Sequence, residues 1–182
     1  MERVSGAVLR SEAPAAARKP ASRAARYRHH MYFSDFNPDR SLLVCRLARG
    51  GAEANDFGPH MERFRSAAEA NVGRDQKLAI LVVIDAGHPM PGSAWRSRIA
   101  EVTGLPIFEP HLAIVSQNPL VRGVLTALSW IRPKHYDDTV VPNIREGIAW
   151  LEKMRGEPLP ELVGMVDRVM RESGADDEKA AG

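Results

Sequence analysis

Apolar positions along this chain follow the two-residue period of strands in some segments and the 3.6-residue period of helices in others. Residues 32–36 are a short aromatic run and residues 41–47 an apolar run; an Asn-Pro-Asp-Arg turn joins them, which predicts an antiparallel hairpin. Residues 78–84 form an unbroken aliphatic run, typical of a central strand that is covered on both faces. Two further strands are predicted at residues 111–116 and 139–141.

Segments with helical spacing follow the hairpin and alternate with the remaining strands. Three of them begin at a capping residue, namely Ser93, Asn118 and Asn143. The five predicted helices span about residues 57–68, 93–102, 118–131, 143–151 and 159–170.

Strands that alternate with single helices require crossover connections, which are right-handed and give a mostly parallel sheet. We therefore predict an α/β fold in one domain. A mostly parallel central sheet of about five strands has an antiparallel edge strand, four flanking helices and one additional C-terminal helix.

Charge divides the chain into a basic arm and a mildly acidic remainder. Residues 1–30 contain seven Lys or Arg against two Glu, so the net charge of +2 leaves −3 for the rest of the chain. We predict a disordered basic arm over 1–30, a domain over 31–156, an extra helix over 157–174 and a disordered tail over 175–182. Because Met31 opens a normal domain start, an upstream extension from a misplaced start codon is a second interpretation of the arm.

Composition excludes several classes of function. No run approaches the roughly 18 apolar residues that cross a bilayer, and no secretory signal is present, so we expect a cytoplasmic protein without a membrane span. The single cysteine, Cys45, rules out an intramolecular disulfide and fits a packed thiol. The histidines are scattered and no glycine-rich phosphate loop follows a strand, so we predict no metal and no cofactor. The acidic domain argues against nucleic-acid binding through the core.

Function in open α/β sheets gathers at the carboxyl ends of the parallel strands. There, Asp85 and His88 stand close in sequence, and Ser93 or Ser116 could complete a nucleophilic site. Neither serine lies in the Gly-x-Ser-x-Gly turn of an α/β-hydrolase, so no catalytic residue is predicted. The residues predicted to bind a partner or ligand are Asp85, His88, Ser93, Trp95, Ser116, Asn118 and Arg122.

Three of these candidates have a more specific interpretation. Ser93 at a helix N-terminus is a possible phosphorylation site, with an ordinary N-cap as the alternative. Asn118 and Arg122, one helical turn apart, could bind an anion together, or serve as a cap and a solvated side chain.

Two tryptophans outside this set, Trp130 and Trp150, stand beside the main apolar stripes of their helices, and exposed tryptophan is enriched at binding surfaces.

The order of elements resembles the STAS fold of anti-sigma factor antagonists, over roughly residues 31–155. Residues 112–116, 119–123 and 144–151 (Ile-Arg-Glu-Gly-Ile-Ala-Trp-Leu) are similar to those of bacterial STAS-like proteins of unassigned role. In the antagonists a serine just past an aspartate is phosphorylated and switches partner binding. Asp85 matches that aspartate, but Ala86-Gly87-His88-Pro89 stands in place of the switch and Ser93 comes several residues late.

The resemblance implies a non-catalytic regulatory or protein-interaction module in bacterial signalling, whose partner is another protein or a second copy of the chain. One alternative is a protein that binds a small molecule or lipid between a helix and the sheet, with the last helix as a lid. A hydrolase using Asp85 and His88 is the least favoured alternative.

Overall fold

A computed structural model describes residues 27–29, 32–50, 56–131 and 134–180 of the chain, with side chains described between Tyr32 and Glu172 except at Ser129. It contains six strands and five helices in this part of the chain. The strands are β1 (Tyr27–His29), β2 (Tyr32–Asn37), β3 (Leu42–Leu47), β4 (Ala79–Ile84), β5 (His111–Val115) and β6 (Asp137–Val141). The helices are α1 (Gly58–Asn71), α2 (Ser93–Thr103), α3 (Leu120–Ile131), α4 (Ile144–Arg155) and α5 (Pro160–Ala180).

All six strands form one sheet in the order β1-β2-β3-β4-β5-β6. The pairs β1–β2 and β2–β3 are antiparallel, and β3 to β6 are parallel. The crossovers through α1, α2 and α3 each lead to the neighbouring strand, and all three advance across the sheet in the same direction. Because such crossovers are right-handed, the three helices lie on one face of the sheet, and α4 and α5 cover the other.

Each face of the sheet carries its own apolar cluster. Toward α1–α3, alternate residues of β4 such as Ile80 and Val82 pack with Met61 and Phe64 of α1. Toward α4 and α5, the intervening residues of β4, including Leu81, pack with helix residues such as Leu151, Leu162 and Met165. Strand β4 is therefore covered on both faces, as its unbroken aliphatic run predicts.

Helix α4 approaches the sheet closely because Gly147 has no side chain. A Cβ atom at this position would lie 2.7 Å from Leu81 Cδ1 and 3.3 Å from Val115 Cγ2. The helix begins at Asn143, whose Oδ1 accepts a hydrogen bond of 2.9 Å from the backbone N–H of Glu146. It ends at Gly156, which adopts the left-handed conformation with φ 69°.

Helix α5 buries its apolar stripe on its own sheet. Leu162, Met165 and Val169 are almost completely buried there. The Arg168 guanidinium donates a 2.8 Å hydrogen bond through Nε to the buried carboxylate of Asp35 on β2. These contacts fix α5 across β2 and β3, on the face opposite α1–α3.

The predicted α/β fold with a mostly parallel sheet is confirmed, with differences at both ends. Strand β1 lies within residues 1–30, the predicted disordered arm, and it adds a sixth strand to the predicted five. Helix α5 extends to Ala180, beyond its predicted end at residue 174. The rest of the predicted arm, residues 1–26 and His30, and the last two residues of the predicted tail lie outside the described residues.

Candidate functional site

Strands β3 to β6 end at one edge of the sheet, where the loops after β4, β5 and β6 meet. The loop after β4 contains Asp85 and His88 and leads to α2, and the loop after β5 contains Ser116 and Asn118 and leads to α3. The two loops are in contact, because Asn118 Nδ2 lies 3.7 Å from Met90 Sδ. The predicted candidates therefore share one edge of the sheet, but they divide between its two faces.

Asp85 forms an ion pair with Arg46 of β3. The Arg46 guanidinium donates to both carboxylate oxygens, with Nη2 at 2.6 Å from Oδ2 and Nε at 3.1 Å from Oδ1. Alternation along β3 places Arg46 on the side of Val44, toward α4 and α5. Asp85 is thus paired with Arg46, and His88 Nδ1 contacts the Ala48 carbonyl instead, so the arrangement lacks a carboxylate hydrogen-bonded to the imidazole to orient it as a catalytic base.

His88 points toward the opposite face and is buried, with 7% of its surface exposed. Its Nδ1 lies 2.8 Å from the carbonyl oxygen of Ala48, and its ring meets Phe57 edge to face at 5.6 Å between centroids. Burial lowers the pKa of His88, more than the Ala48 carbonyl and Asp85 raise it. His88 Nε2 is buried, and no described group bonds to it.

A cavity of about 90 Å³ lies between the sheet and α1, α2 and α3. His88 forms part of its wall, together with Met90 of the same loop. Most of the remaining lining is apolar: Leu47, Phe57, Met61, Phe64, Val82, Ile84, Pro89, Pro91, Ile99, Leu112, Ile114, Val121, Val124, Leu125 and Leu128. The polar lining residues besides His88 are His60, Thr103 and Tyr136.

His60 is a second buried imidazole in the wall of this cavity, with 7% of its surface exposed. Burial lowers its pKa to about 3, with a smaller contribution from nearby His88. Its ring packs against Phe64 at 4.2 Å and meets Tyr32 at 5.2 Å between centroids. His60 Nδ1 is buried, and no described group bonds to it.

The other two polar side chains of the wall already have partners. Thr103 Oγ1 donates a 2.9 Å hydrogen bond to the carbonyl oxygen of Ile99. Tyr136 bonds to the Thr103 side chain, and burial raises the pKa of its hydroxyl. Within the described part of the wall, the bare nitrogens of His60 and His88 are therefore the polar atoms that remain open to a ligand.

Trp95 lies beside this cavity, whereas Ser93 faces solvent. The Trp95 ring packs against Phe57 at 5.9 Å between centroids. Ser93 is exposed and is the first residue of α2, whose N-cap is Gly92, without a side-chain cap hydrogen bond. The prediction that Ser93 caps α2 is wrong, because the helix starts at Ser93 itself; its phosphorylation stays a prediction.

Ser116, Asn118 and Arg122 line an open groove of about 610 Å³ between the ends of β5 and β6. Ser116 Oγ accepts a 3.2 Å hydrogen bond from the backbone N–H of Asn118. Asn118 Oδ1 accepts one of 3.0 Å from the backbone N–H of Leu120 and so caps α3. Arg122 is exposed. The groove contains two of the anion-binding candidates, but the Asn118 oxygen is already used by the helix.

Helix α3 exposes three large apolar side chains. Trp130 is 82% exposed, Leu120 is 63% exposed and Ile131 is 51% exposed. Trp150 of α4 is partly buried and meets the His111 ring at 6.5 Å between centroids. Of the two tryptophans singled out from the sequence, Trp130 is the strongly exposed one.

Four other expectations concern Cys45, the last helix, a metal and a membrane span. Cys45 is packed as predicted, with its Sγ 3.2 Å from the Tyr32 hydroxyl, and burial raises the pKa of the thiol to about 12. The expectation that the last helix is a lid is wrong for the cavity at His88, because α5 covers the opposite face of the sheet. No group of three or more metal-ligating side chains occurs among the described residues, and none of the described helices is long and apolar enough to span a membrane.

Comparison of the chain with known proteins found no matching family model, no matching curated protein and no matching solved structure.

Proposed function

We propose that this chain is a non-catalytic regulatory module that binds a protein partner through the exposed side of α3. This is the role that the STAS-like resemblance implies for a bacterial signalling protein. The main observation behind this proposal is that the large apolar side chain of Trp130 is exposed to solvent. The pairing of Asp85 with Arg46 supports a binding role over hydrolysis, because no carboxylate orients His88 and none of the described serines bonds to its Nε2.

The sequence of α3 is more apolar than its position in the fold requires. Eight of the twelve residues in Leu-Val-Arg-Gly-Val-Leu-Thr-Ala-Leu-Ser-Trp-Ile are apolar, but one side of the helix is enough to cover the cavity. Val121 and Leu128 are buried against the sheet, whereas Trp130 and Ile131 are not. A helix with so wide an apolar surface is normally covered on more than one side.

The exposed apolar residues of α3 lie at its two ends: Trp130 and Ile131 are together at the C-terminal end, and Leu120 lies about 15 Å away along the helix axis at the N-terminal end. At 100° per residue, Leu120 and Ile131 lie within about 20° of each other, and Trp130 lies about 80° away from Leu120. We call these three residues the α3 surface. Exposed tryptophan among smaller apolar side chains is the composition typical of an interface centre.

Charge on α3 and on its neighbour α2 indicates the chemistry of the partner. Helices α2 and α3 pack beside each other and carry Arg96, Arg98 and Arg122 against Glu101. This excess of positive charge contrasts with the net −3 of residues 31–182. We therefore expect a protein partner with an apolar groove and acidic side chains at its rim.

The test uses the full chain as bait in native lysate, followed by binding measurements with the purified partner. We expect Trp130→Ser to weaken the purified complex at least tenfold, because a central interface tryptophan contributes about 2 kcal/mol or more. Val163→Ser is the matched control, since Val163 is 52% exposed on α5, across the sheet from α3. Arg122→Glu should weaken binding most at low salt.

Several outcomes would contradict this proposal. A purified partner that binds wild type and Trp130→Ser equally would place the interface elsewhere. Binding of the wild type to anionic vesicles, lost in Trp130→Ser, would replace a protein partner with a membrane surface. Concentration-dependent dimerisation that Trp130→Ser abolishes would identify a second copy of the chain as the partner.

A further inference from the structure

We propose that the cavity beneath α2 and α3 binds a small neutral molecule with an apolar body and one hydroxyl group, which His88 and His60 hold. This site lies on the buried side of α3 and does not depend on the proposed protein interaction. It rests on an apolar wall and two buried nitrogen atoms without partners among the described residues.

The tautomer of His88 determines what the ligand must offer. A carbonyl oxygen accepts but cannot donate, so the 2.8 Å contact with Ala48 requires that His88 Nδ1 carry the proton. The ring is neutral because burial disfavours its cation. His88 Nε2 is then unprotonated, and its lone pair is buried among mostly apolar side chains. This nitrogen therefore needs a hydrogen-bond donor.

His60 lies in the wall of the same cavity and near enough to His88 for the two imidazoles to interact, so we assign it the second contact with the hydroxyl group. The ring of His60 is neutral as well, and its unpartnered Nδ1 can carry a proton or a lone pair. A hydroxyl group donates through its hydrogen and accepts through its oxygen. It can therefore donate to His88 Nε2 while its oxygen accepts from His60 Nδ1–H.

The cavity excludes charged ligands and limits the size of the ligand. A carboxylate offers no proton to His88, and any ion would lose its hydration against a wall that is mostly apolar. An apolar cavity of about 150 Å³ holds benzene, and this one is about 90 Å³. Met90, Val124 and Leu125 in its wall are partly exposed, so a ligand of that size would extend toward the surface beside them.

Phenol and toluene form a matched pair of probes, because phenol has a hydroxyl group where toluene has a methyl group of similar size. We expect phenol to bind the full wild-type chain about tenfold more tightly than toluene in calorimetric titrations at pH 7, since a buried acceptor gains its missing donor. In ¹⁵N NMR spectra, His88 should show a protonated Nδ1 and a bare Nε2. The Nε2 resonance should move upfield when phenol binds.

A variant of His88 separates the hydrogen bond from apolar contact. Asparagine can keep the donor to the Ala48 carbonyl but lacks Nε2, so His88→Asn should lose the preference for phenol and retain weak toluene binding. His135→Asn, at an exposed histidine, should behave as wild type.

The wild-type measurements decide the proposal even if His88→Asn does not fold. Equal affinity for phenol and toluene, or no binding of either, would overturn it. A proton on His88 Nε2 in the NMR spectrum would also overturn it, as would a crystal structure in which ordered water bridges both imidazoles and phenol does not displace it.

Discussion

Acid should destabilise the fold through His60, because this imidazole is neutral in the folded chain. Its folded pKa is about 3, well below the roughly 6.5 of an unfolded histidine. As pH falls below about 6.5, the unfolded chain gains a proton that the folded chain does not, and stability is lost until pH reaches about 3. Between pH 7 and pH 5 this linkage lowers the free energy of unfolding by about 2 kcal/mol.

Urea denaturation of wild type and His60→Leu at pH 7 and pH 5 isolates this contribution. Leucine removes both the titrating group and the unpartnered nitrogen, so at pH 7 the variant should be as stable as wild type or more so by about 1 kcal/mol. Its advantage should grow by about 2 kcal/mol at pH 5. Other groups that titrate contribute equally to both proteins and cancel in the comparison. An advantage that is the same at both pH values would refute the assignment of a buried, neutral His60.

Two further perturbations test the packing on the other face of the sheet. Gly147→Ala should destabilise the protein by about 1–2 kcal/mol in urea denaturation, because its Cβ would meet Leu81 and Val115. Gly164→Ala on α5 should instead stabilise the protein by about 1 kcal/mol, because alanine favours a helix more than glycine does. Equal effects at the two glycines would contradict the close approach of α4 to the sheet at Gly147. Arg168→Met should cost about 2 kcal/mol, because it leaves the buried Asp35 carboxylate unpaired. The control is Lys77→Met, which breaks the exposed ion pair between Lys77 and Asp137. It should lower the free energy of unfolding by less than about 1 kcal/mol, and a larger loss would contradict the argument that burial makes the Arg168–Asp35 pair more important.

The succession of strands and helices was predictable because periodicity reports burial directly. Residues 78–84 are aliphatic without interruption, and β4 is buried on both faces. Asn143 was recognisable as a cap because capping acts within one helical turn. Ser93 has the same chemistry, but the chain enters α2 one residue earlier than a cap at that position would allow, and sequence alone does not fix this geometry.

The candidate site was harder to predict because its contacts are long-range. Arg46 and Asp85 are 39 positions apart, and their ion pair depends on the parallel register of β3 and β4. His60 gave no signal among scattered histidines, since its role depends on where α1 crosses the sheet. His88 stands close to Asp85 in sequence, but its partners are the Ala48 carbonyl and the Phe57 ring on the other face.

Helix α3 connects the two proposals, because its buried side lines the cavity and its exposed side carries the α3 surface. Val121 and Leu128 face the cavity, whereas Trp130 points away from the buried side. Trp130→Ser should therefore leave the phenol preference intact, and His88→Asn should leave the affinity for a purified partner intact in the absence of phenol. If Trp130→Ser removes both activities, the simplest explanation is that α3 no longer packs correctly. Circular dichroism and urea denaturation of that variant would then distinguish loss of the helix from loss of an interface.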